Sequence, residues 1–242
     1  MENTKKDIRA QTKEELIQFF ESQGIPSFRG KQVYQWLWQK GTHDFDSMTN
    51  LTLAHRELLK SHFHIKYIKI DDEQKSKDGT VKNAVKLHDQ LVVESVLIPT
   101  ASRSTACVSS QVGCSLDCTF CATASMKRMR NLNPYEIYDQ VVTINQQSLM
   151  YHQRPLSNIV FMGMGEPLMN YKNVLASIDK ITDPEGLGMS PKRITVSTSG
   201  IPKMIRKMAN DGVKFRLAVS LHSARQEVRK KIMPFATKFP LD

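Results

Sequence analysis

From residue 105 onward, short apolar segments typical of strands alternate with longer segments of helical periodicity. Strands are predicted at Thr105–Val112, Ser157–Met162, Arg193–Ser197 and Lys214–Leu221. A helix is predicted after each of them, at Asn133–Met150, Asn170–Ile181, Ile201–Asn210 and Ala224–Ile232. Such alternation produces a parallel sheet with right-handed crossover connections. This part of the chain is therefore predicted to be an α/β fold.

The residues before 105 predict two smaller regions. Three helical segments, at residues 12–23, 28–40 and 51–63, indicate a small helical domain. Alternating segments at Ile65–Ile70, Val81–Leu87 and Leu91–Ile98 indicate three antiparallel strands. We therefore expect a helical domain over residues 1–64, an antiparallel β extension over 65–104 and the parallel α/β region over 105–242.

Both tryptophans of the chain lie in the second predicted helix. Trp36 shares an apolar stripe with Val33 and Leu37, so we expect it to pack in the core. Stacking on nucleic-acid bases is the alternative role for Trp36 and Trp38.

All four cysteines lie between residues 107 and 121. Cys114, Cys118 and Cys121 form a C-x3-C-x2-C motif, whereas Cys107 lies outside it. Thiolates hold iron–sulfur clusters, and three of them would leave one iron of a four-iron cluster open. A four-cysteine zinc site is the alternative, although the second C-x2-C pair typical of such sites is absent. Disulfides are disfavoured because nothing marks the chain as secreted.

Polar and glycine motifs follow each predicted strand of the α/β region. They are the cysteine motif, Gly163-Met164-Gly165-Glu166, Ser197, and Ser220-Leu221-His222. The C-terminal ends of parallel strands form the face at which α/β enzymes build their active sites. This shared placement predicts an enzyme.

The charge of the chain indicates a polyanionic partner. The formal net charge is +10, and residues 156–242 contain 14 Lys/Arg against 7 Asp/Glu. Nucleic acid is the usual partner of such a surface, and a merely solvated basic surface is the alternative. The loop Ala122–Arg130 adds Lys127, Arg128 and Arg130, which could either contact RNA phosphate or face solvent. No apolar run long enough for a membrane helix and no signal peptide are evident, so a cytoplasmic protein is predicted.

Several motifs in order resemble one enzyme family. They are Cys107-Val-Ser-Ser-Gln-Val-Gly-Cys114, Arg130-Asn-Leu, Phe161-Met-Gly-Met-Gly-Glu-Pro-Leu168, Arg193-Ile-Thr-Val-Ser-Thr-Ser-Gly200 and Ala218-Val-Ser-Leu-His-Ser223. Together they resemble the dual-specificity radical S-adenosylmethionine (SAM) methyltransferases that modify C2 of adenine in 23S ribosomal RNA and transfer RNA. The resemblance implies a partial parallel (β/α) radical SAM barrel, preceded by the helical domain and the β extension.

The resemblance also implies two cofactors and their binding residues. Cys114, Cys118 and Cys121 would hold a [4Fe–4S] cluster, and SAM would complete its fourth iron. Gly163, Gly165 and Glu166 would contact the methionine part of SAM. The ribose side would be lined by Ser197, Ser220, Leu221 and His222.

In the family's mechanism one SAM methylates a cysteine, and a second SAM is cleaved to a radical that activates this methyl group for addition to adenine. Cys107 matches the cysteine that releases the RNA adduct by forming a disulfide. Glu94 matches a proposed proton acceptor, and a solvated strand carboxylate is the alternative. The resemblance further implies a flavodoxin-type electron donor, a monomer and no membrane.

Two features depart from the family pattern. No cysteine follows Cys121 to match the methyl-carrying cysteine, and the fourth parallel strand would be an open edge. We therefore expect a C-terminally truncated form that binds the cluster without methylating RNA. Relatives also commonly have glycine at the positions of Ala124 and Lys127.

Two other functions remain open at this point. One is a non-catalytic RNA-binding module with a structural zinc ion, and the other is a radical SAM enzyme with a substrate other than RNA.

Overall fold

The computed structural model describes residues 5–241, which form two compact units. One unit runs to Tyr67 and includes Lys180–Met189, and the other comprises Ile68–Asp179 and the residues from Ser190 onward. None of the described helices is long and apolar enough to cross a membrane.

The first unit is mainly helical. Its helices are α1 (Lys13–Ser22), α2 (Phe28–Trp38) and α3 (Leu53–His62), and β1 (Lys6–Asp7) pairs in parallel with β2 (Phe63–His64). Thr12 begins α1 with a capping box, in which its hydroxyl accepts the Glu15 N–H and the Glu15 carboxylate accepts the Thr12 N–H. The three predicted helices are thus confirmed.

The core role predicted for Trp36 is wrong. The buried side of α2 includes Val33, Leu37 and Trp38, so the tryptophan in the core is Trp38. Trp36 is half-buried, its indole N–H donates to the Asn50 side chain at 2.6 Å, and the Lys40 ammonium lies 3.5 Å from its ring centroid. The two tryptophans differ because residues two apart point to different sides of a helix.

The second unit contains a seven-stranded mixed sheet. Its strands lie in the order β11-β10-β9-β6-β5-β4-β3. They are β3 (Lys69–Lys75), β4 (Val81–Lys86), β5 (Val92–Pro99), β6 (Ser104–Cys107), β9 (Asn158–Phe161), β10 (Ile194–Thr198) and β11 (Arg216–Val219), and a separate pair is formed by β7 (Gln111–Val112) and β8 (Arg130–Asn131). Strands β6, β9, β10 and β11 run parallel, which confirms the predicted parallel sheet.

Helices connect the parallel strands, at α4 (Pro134–His152), α5 (Tyr171–Thr182), α6 (Pro202–Asn210) and α7 (Gln226–Ile232). Because consecutive parallel strands are neighbours and crossovers are right-handed, the connecting helices lie on one face of the sheet. Along β6, β9 and β10 the residues on that face are buried, among them Ala106, Ile159 and Val196, whereas Leu217 of β11 is 38% exposed. The opposite face is only half-buried along β6, β9 and β10.

The antiparallel strands continue the same sheet, because β5 pairs with β6. The first of them lies at Lys69–Lys75 and not at the predicted Ile65–Ile70. Charged residues along this edge strand hide the alternation of apolar and polar residues. A shift in the pairing register with β4, between Ile70 and Asp72, interrupts that alternation further. The predicted strand Thr105–Val112 is divided into β6 and β7 by an irregular segment.

Candidate active site

The glycine turn Gly163–Glu166 follows β9 and is held against the segment Val108–Gln111. The Met164 N–H donates to the Ser109 hydroxyl at 2.8 Å, and the Glu166 N–H donates to the Gln111 side chain at 2.9 Å. Main-chain bonds add to these, from Gly163 N–H to the Val108 carbonyl and from Gln111 N–H to the Met164 carbonyl. Two chain segments distant in sequence therefore form one hydrogen-bonded unit.

This close contact explains both glycines of the turn. A Cβ at Gly163 would lie 2.7 Å from the Ser109 hydroxyl oxygen, and one at Gly165 would lie 2.5 Å from the Gln111 Cβ. Gly165 also has a φ of +95°, which side-chain-bearing residues avoid. The glycines are thus required by packing within the protein, while the exposed backbone of Gly163 leaves room for a ligand on its other side.

The carboxylate of Glu166 is only 2% exposed. One oxygen accepts the Leu168 N–H at 3.1 Å, and the other accepts the Ser199 N–H at 2.7 Å. The buried guanidinium of Arg229 donates to the Ser199 carbonyl at 2.7 Å, so Glu166 and Arg229 bind the two main-chain groups of the same residue. Each oxygen keeps a lone pair for a further donor such as the SAM ammonium.

The cysteine motif forms an exposed to half-buried loop, and its three thiols are free. The pKa of the Cys118 thiol is raised to about 11, mainly by burial and secondly by the charge of the neighbouring Cys114. Burial is likewise the main cause of the raised pKa of Cys114. The Cys121 and Glu166 charges contribute to both shifts. The 2.9 Å bond from the Glu166 N–H to Gln111, three residues before Cys114, places Glu166 beside the cysteine loop.

These thiols suit a cluster better than a single ion. No group of three His, Cys, Asp or Glu residues between 5 and 241 is close enough to hold one metal ion. A zinc site draws its sulfurs close together, since each Zn–S bond is only about 2.3 Å, whereas a cluster holds its cysteines through separate irons. The chemistry of three free thiols in one short loop therefore fits a [4Fe–4S] cluster, and the zinc alternative gains no support.

The loop after the cysteines closes back onto Gly113. Its φ is +72°, and a Cβ there would lie 2.3 Å from the Lys127 carbonyl oxygen. The close approach is thus provided by Gly113, although Ala124 and Lys127 replace the glycines common in relatives. Neither role left open for Arg130, contact with RNA phosphate or exposure to solvent, matches its surroundings, because Asp89 and Glu136 bind its guanidinium at 2.6 and 2.8 Å. Lys127 and Arg128 are exposed.

Glu94, Cys107 and Ser197 lie on the half-buried face of the sheet. Val96 of β5 is paired with Cys107, and Glu94 is two residues from Val96, so it points to the same side. Such diagonal neighbours lie roughly 7–8 Å apart. Glu94 is exposed and forms a 2.9 Å ion pair with Lys82.

Burial raises the pKa of the Cys107 thiol, and a hydrogen bond from the Met162 N–H opposes this rise.

The predicted ribose-side residues lie at the ends of β10 and β11. The Ser197 hydroxyl donates to the Phe161 carbonyl at 2.8 Å, and the Ser220 N–H donates to the Thr198 carbonyl at 2.9 Å. His222 has a left-handed φ of +57°, and its ring lies 4.2 Å from that of Phe120 in the cysteine loop. His222 is thereby brought to the cysteine loop, while Leu221 is exposed beside it.

Sequence reasoning missed the residues that support this site, namely Ser109, Gln111, Phe120, Ser199 and Arg229. Their polar or aromatic character gives no signal on its own, because their partners are distant in sequence. Ser109 and Gln111 fall inside a motif already noted, so that motif could have indicated them.

Comparisons with known proteins place this site in a family. A profile of the ribosomal RNA large subunit methyltransferase N-terminal domain matches residues 1–65, and one of the radical SAM superfamily matches residues 108–238. A protein of Christiangramia forsetii named "Probable dual-specificity RNA methyltransferase RlmN" is 68% identical over 242 residues, which are 100% of this chain and 69% of that protein. The chain belongs to the RlmN family.

Other similar proteins agree with this assignment. An RlmN of Nitratidesulfovibrio vulgaris is 46% identical over 246 residues, covering 98% of this chain and 67% of its own length. The crystal structure of a radical SAM methyltransferase from Sphaerobacter thermophilus has a TM-score of 0.89 and 34% identity, and it covers 98% of this chain and 69% of that one. The predicted α/β radical SAM fold and enzyme class are therefore confirmed. RlmN membership implies a [4Fe–4S] cluster and SAM as cofactors.

Proposed function

We propose that this RlmN-family chain supplies the cluster site, the SAM site and the RNA-facing residues for methylation of C2 of adenine in 23S ribosomal RNA and in transfer RNA. The relatives' name supports dual specificity for RNA. The observation that carries the proposal is the meeting of the cysteine loop with Glu166 and His222 at the ends of parallel strands. The basic charge of residues 156–242 suits an RNA partner.

Cys114, Cys118 and Cys121 hold the cluster in this proposal, and the cluster supplies the electron that cleaves SAM when both are bound. The exposed main chain of Gly163 and the half-buried main chain of Gly165 lie against the methionine part of SAM. Glu166 accepts the SAM ammonium with the lone pairs that its two backbone donors leave free. Ser197, Ser220, Leu221 and His222 line the ribose side.

Cys107 and Glu94 act on the RNA in this proposal. The Cys107 thiol, on the face of the sheet shared with Glu94, releases the RNA adduct by forming a disulfide with the methyl-carrying cysteine, which is not among the four cysteines of this sequence. Glu94 accepts the proton that leaves adenine C2. Its exposure and its exposed partner Lys82 suit this role, because the carboxylate is not buried within the fold.

Further parts of the proposal concern the protein's surroundings. The enzyme works as a monomer in the cytoplasm, where reducing conditions keep cluster thiols intact, and receives electrons from a flavodoxin-type protein. The helical region 1–64 helps to hold RNA, the region 65–104 extends the sheet, and residues from 105 onward carry the chemistry.

The test begins with anaerobic reconstitution with iron and sulfide. We expect about four irons per chain, and 5′-deoxyadenosine when SAM and a reductant are added. Mass spectrometry of the RNA from a cell that lacks its own enzyme should then show 2-methyladenosine in ribosomal and transfer RNA when this chain is joined to the C-terminal segment of a relative that contains the methyl-carrying cysteine, and none when the 242 residues are expressed alone. Binding of zinc without iron, or a methyl group at another base position, contradicts the proposal.

A further inference from the structure

A groove of about 1090 Å³ lies beside the cysteine loop, within the sheet-containing unit. One wall is Ser115–Asp117, the three residues that separate Cys114 from Cys118. The other walls are the starts of α5 and α6 and the segment Pro234–Phe239. The Thr119 N–H donates to the Ile232 carbonyl at 3.0 Å, which ties the loop to the chain leading into that segment.

The groove combines an apolar floor with a basic rim. Methionine and aromatic side chains line the floor, namely Met169, Met204, Phe235 and Phe239. Four lysines, Lys172, Lys203, Lys207 and Lys238, lie around it, against one acidic residue, Asp117. Lys207 is bound to Asp211 at 3.1 Å, whereas the other three lysines make no ion pair with residues 5–241. The rim is therefore free to attract an acidic partner.

We propose that this groove is the docking surface for an acidic one-electron carrier protein. The inference rests on the proposed function, since only a cluster that cleaves SAM needs an electron from outside. One electron leaves the reduced carrier and is gained by the metal centre that the three cysteines hold, and no atom or proton is transferred. A carrier seated in the groove would contact Ser115–Asp117, the residues that lie between the ligands Cys114 and Cys118.

The composition of the groove favours a protein over RNA. An apolar core with aromatic and methionine side chains and a charged rim is typical of protein–protein interfaces. RNA phosphates would instead require donors along the length of the groove, and the floor supplies few. Electron-transfer complexes are small and weak, so three unpaired lysines are enough to steer the encounter.

The groove also lies away from the face of the sheet to which we assign the RNA. Cys107 and Glu94 lie on the half-buried face of the sheet, whereas α5 and α6 belong to the opposite, helix-covered face. The carrier and the RNA can therefore approach the cysteine loop from different sides.

The test compares two variants with the same change in net charge. The groove variant carries Lys172→Glu, Lys203→Glu and Lys238→Glu. The control carries Lys77→Glu, Lys192→Glu and Lys214→Glu, which are exposed lysines of the same unit outside the groove. The probe is purified oxidised flavodoxin, whose affinity is measured by its flavin fluorescence at low and moderate salt.

We expect the groove variant to lose at least tenfold in flavodoxin affinity and the control to lose less than threefold. The affinity of the unchanged protein should fall as salt is added. Carbodiimide cross-linking followed by mass spectrometry should join Lys172, Lys203 or Lys238 to flavodoxin carboxylates. Equal affinities of the two variants, or cross-links only at other lysines, would overturn the inference.

Two further measurements separate the alternatives. SAM cleavage driven by dithionite should differ less than twofold between the groove variant and the unchanged protein, while cleavage driven by reduced flavodoxin should fall at least tenfold. If the groove variant loses RNA affinity and keeps flavodoxin affinity, the groove is an RNA site and the inference is wrong. If the unchanged protein cleaves no SAM with dithionite, the proposed function fails, and the binding and cross-linking results still decide the docking surface.

Discussion

The glycine turn and the cysteine loop lie next to each other but hold their shapes by different means. In the turn Gly163–Glu166, main-chain and side-chain groups are bound to Ser109, Gln111 and Ser199, and Glu166 is buried. In the loop Cys114–Cys121, the thiols are free and the residues are exposed or half-buried. The turn is therefore organised by the chain itself, whereas the loop leaves its strongest ligands for a bound group.

This difference indicates separate roles for the two segments, SAM binding for the turn and metal binding for the loop. A preorganised turn can orient SAM without rearranging, which is what an electrostatic binding site requires. A loop with free thiols gains its final shape when the metal binds, because ligand binding and ordering are coupled. Substitutions in the turn should therefore affect folding, and substitutions in the loop should affect cofactor content.

The largest effect is expected from the loop. Alanine at Cys114, Cys118 or Cys121 should abolish nearly all iron binding, because a cluster with two protein ligands is not retained. The free energy of unfolding of the metal-free protein should change by less than about 1 kcal/mol, since surface substitutions cost little. Iron and sulfide are measured after anaerobic reconstitution. Cys107→Ala is the control and should keep its iron.

The next largest effect is expected from the turn. Gly165→Ala should lower the free energy of unfolding by about 3 kcal/mol or more, because the new Cβ would collide with Gln111 at a left-handed φ. Gly212→Ala is the matched control, since Gly212 has a φ of +63° with nothing within 4 Å. The control should cost about 1 kcal/mol. Equal losses in chemical denaturation would show that the turn is not held by packing.

A third prediction uses the thiol of Cys118. Its pKa is raised from 9.0 to about 11, so the protonated, unreactive thiol persists to higher pH. In the metal-free protein at pH 9, alkylation of Cys118 should be roughly fifty times slower than that of a thiol with the ordinary pKa of 9.0, and it should rise until about pH 11. Mass spectrometry of iodoacetamide-labelled peptides gives the rates. Half-maximal labelling near pH 9 would contradict the burial of the Cys118 thiol and the effect of the neighbouring Cys114.

The smallest effects are expected from substitutions of the two glutamates Glu166 and Glu94. Glu166→Gln should cost about 2 kcal/mol, because an amide NH₂ would face a backbone N–H in a buried position. Glu94→Gln should change the stability by less than about 0.5 kcal/mol, because its ion pair with Lys82 is exposed. Both losses are read from denaturant unfolding. If Glu94→Gln costs as much as Glu166→Gln, Glu94 is a structural residue and its proposed catalytic role fails.

Periodicity in the sequence predicted the parallel strands and their helices because their cores are strongly apolar. The predicted first antiparallel strand begins four residues before β3, because the polar residues of this edge strand show no alternation of apolar and polar side chains. The apolar stripe of Val33, Trp36 and Leu37 predicts a core position for Trp36. The buried side of α2 is different and includes Tyr34 and Trp38.

For the site, the sequence predicted residue types and their placement after strands, but not their partners. Nothing local indicates that Ser109 links the Glu94 carbonyl to the Met164 N–H, because this contact joins three segments. The ion pairs of Arg130 with Asp89 and Glu136 were likewise invisible before folding. Long-range hydrogen bonds therefore decide which of the predicted residues remain available to a ligand.

The contact of Arg229 with the Ser199 peptide has a consequence for the order in which the site matures during synthesis. The ribosome makes Glu166 first, Ser199 later and Arg229 last. A nascent chain that ends before α7 contains the turn and Ser199, but the Ser199 main chain, whose N–H binds the Glu166 carboxylate, lacks the Arg229 donor at its carbonyl. Cofactor capture on the emerging polypeptide should therefore wait for the seventh helix.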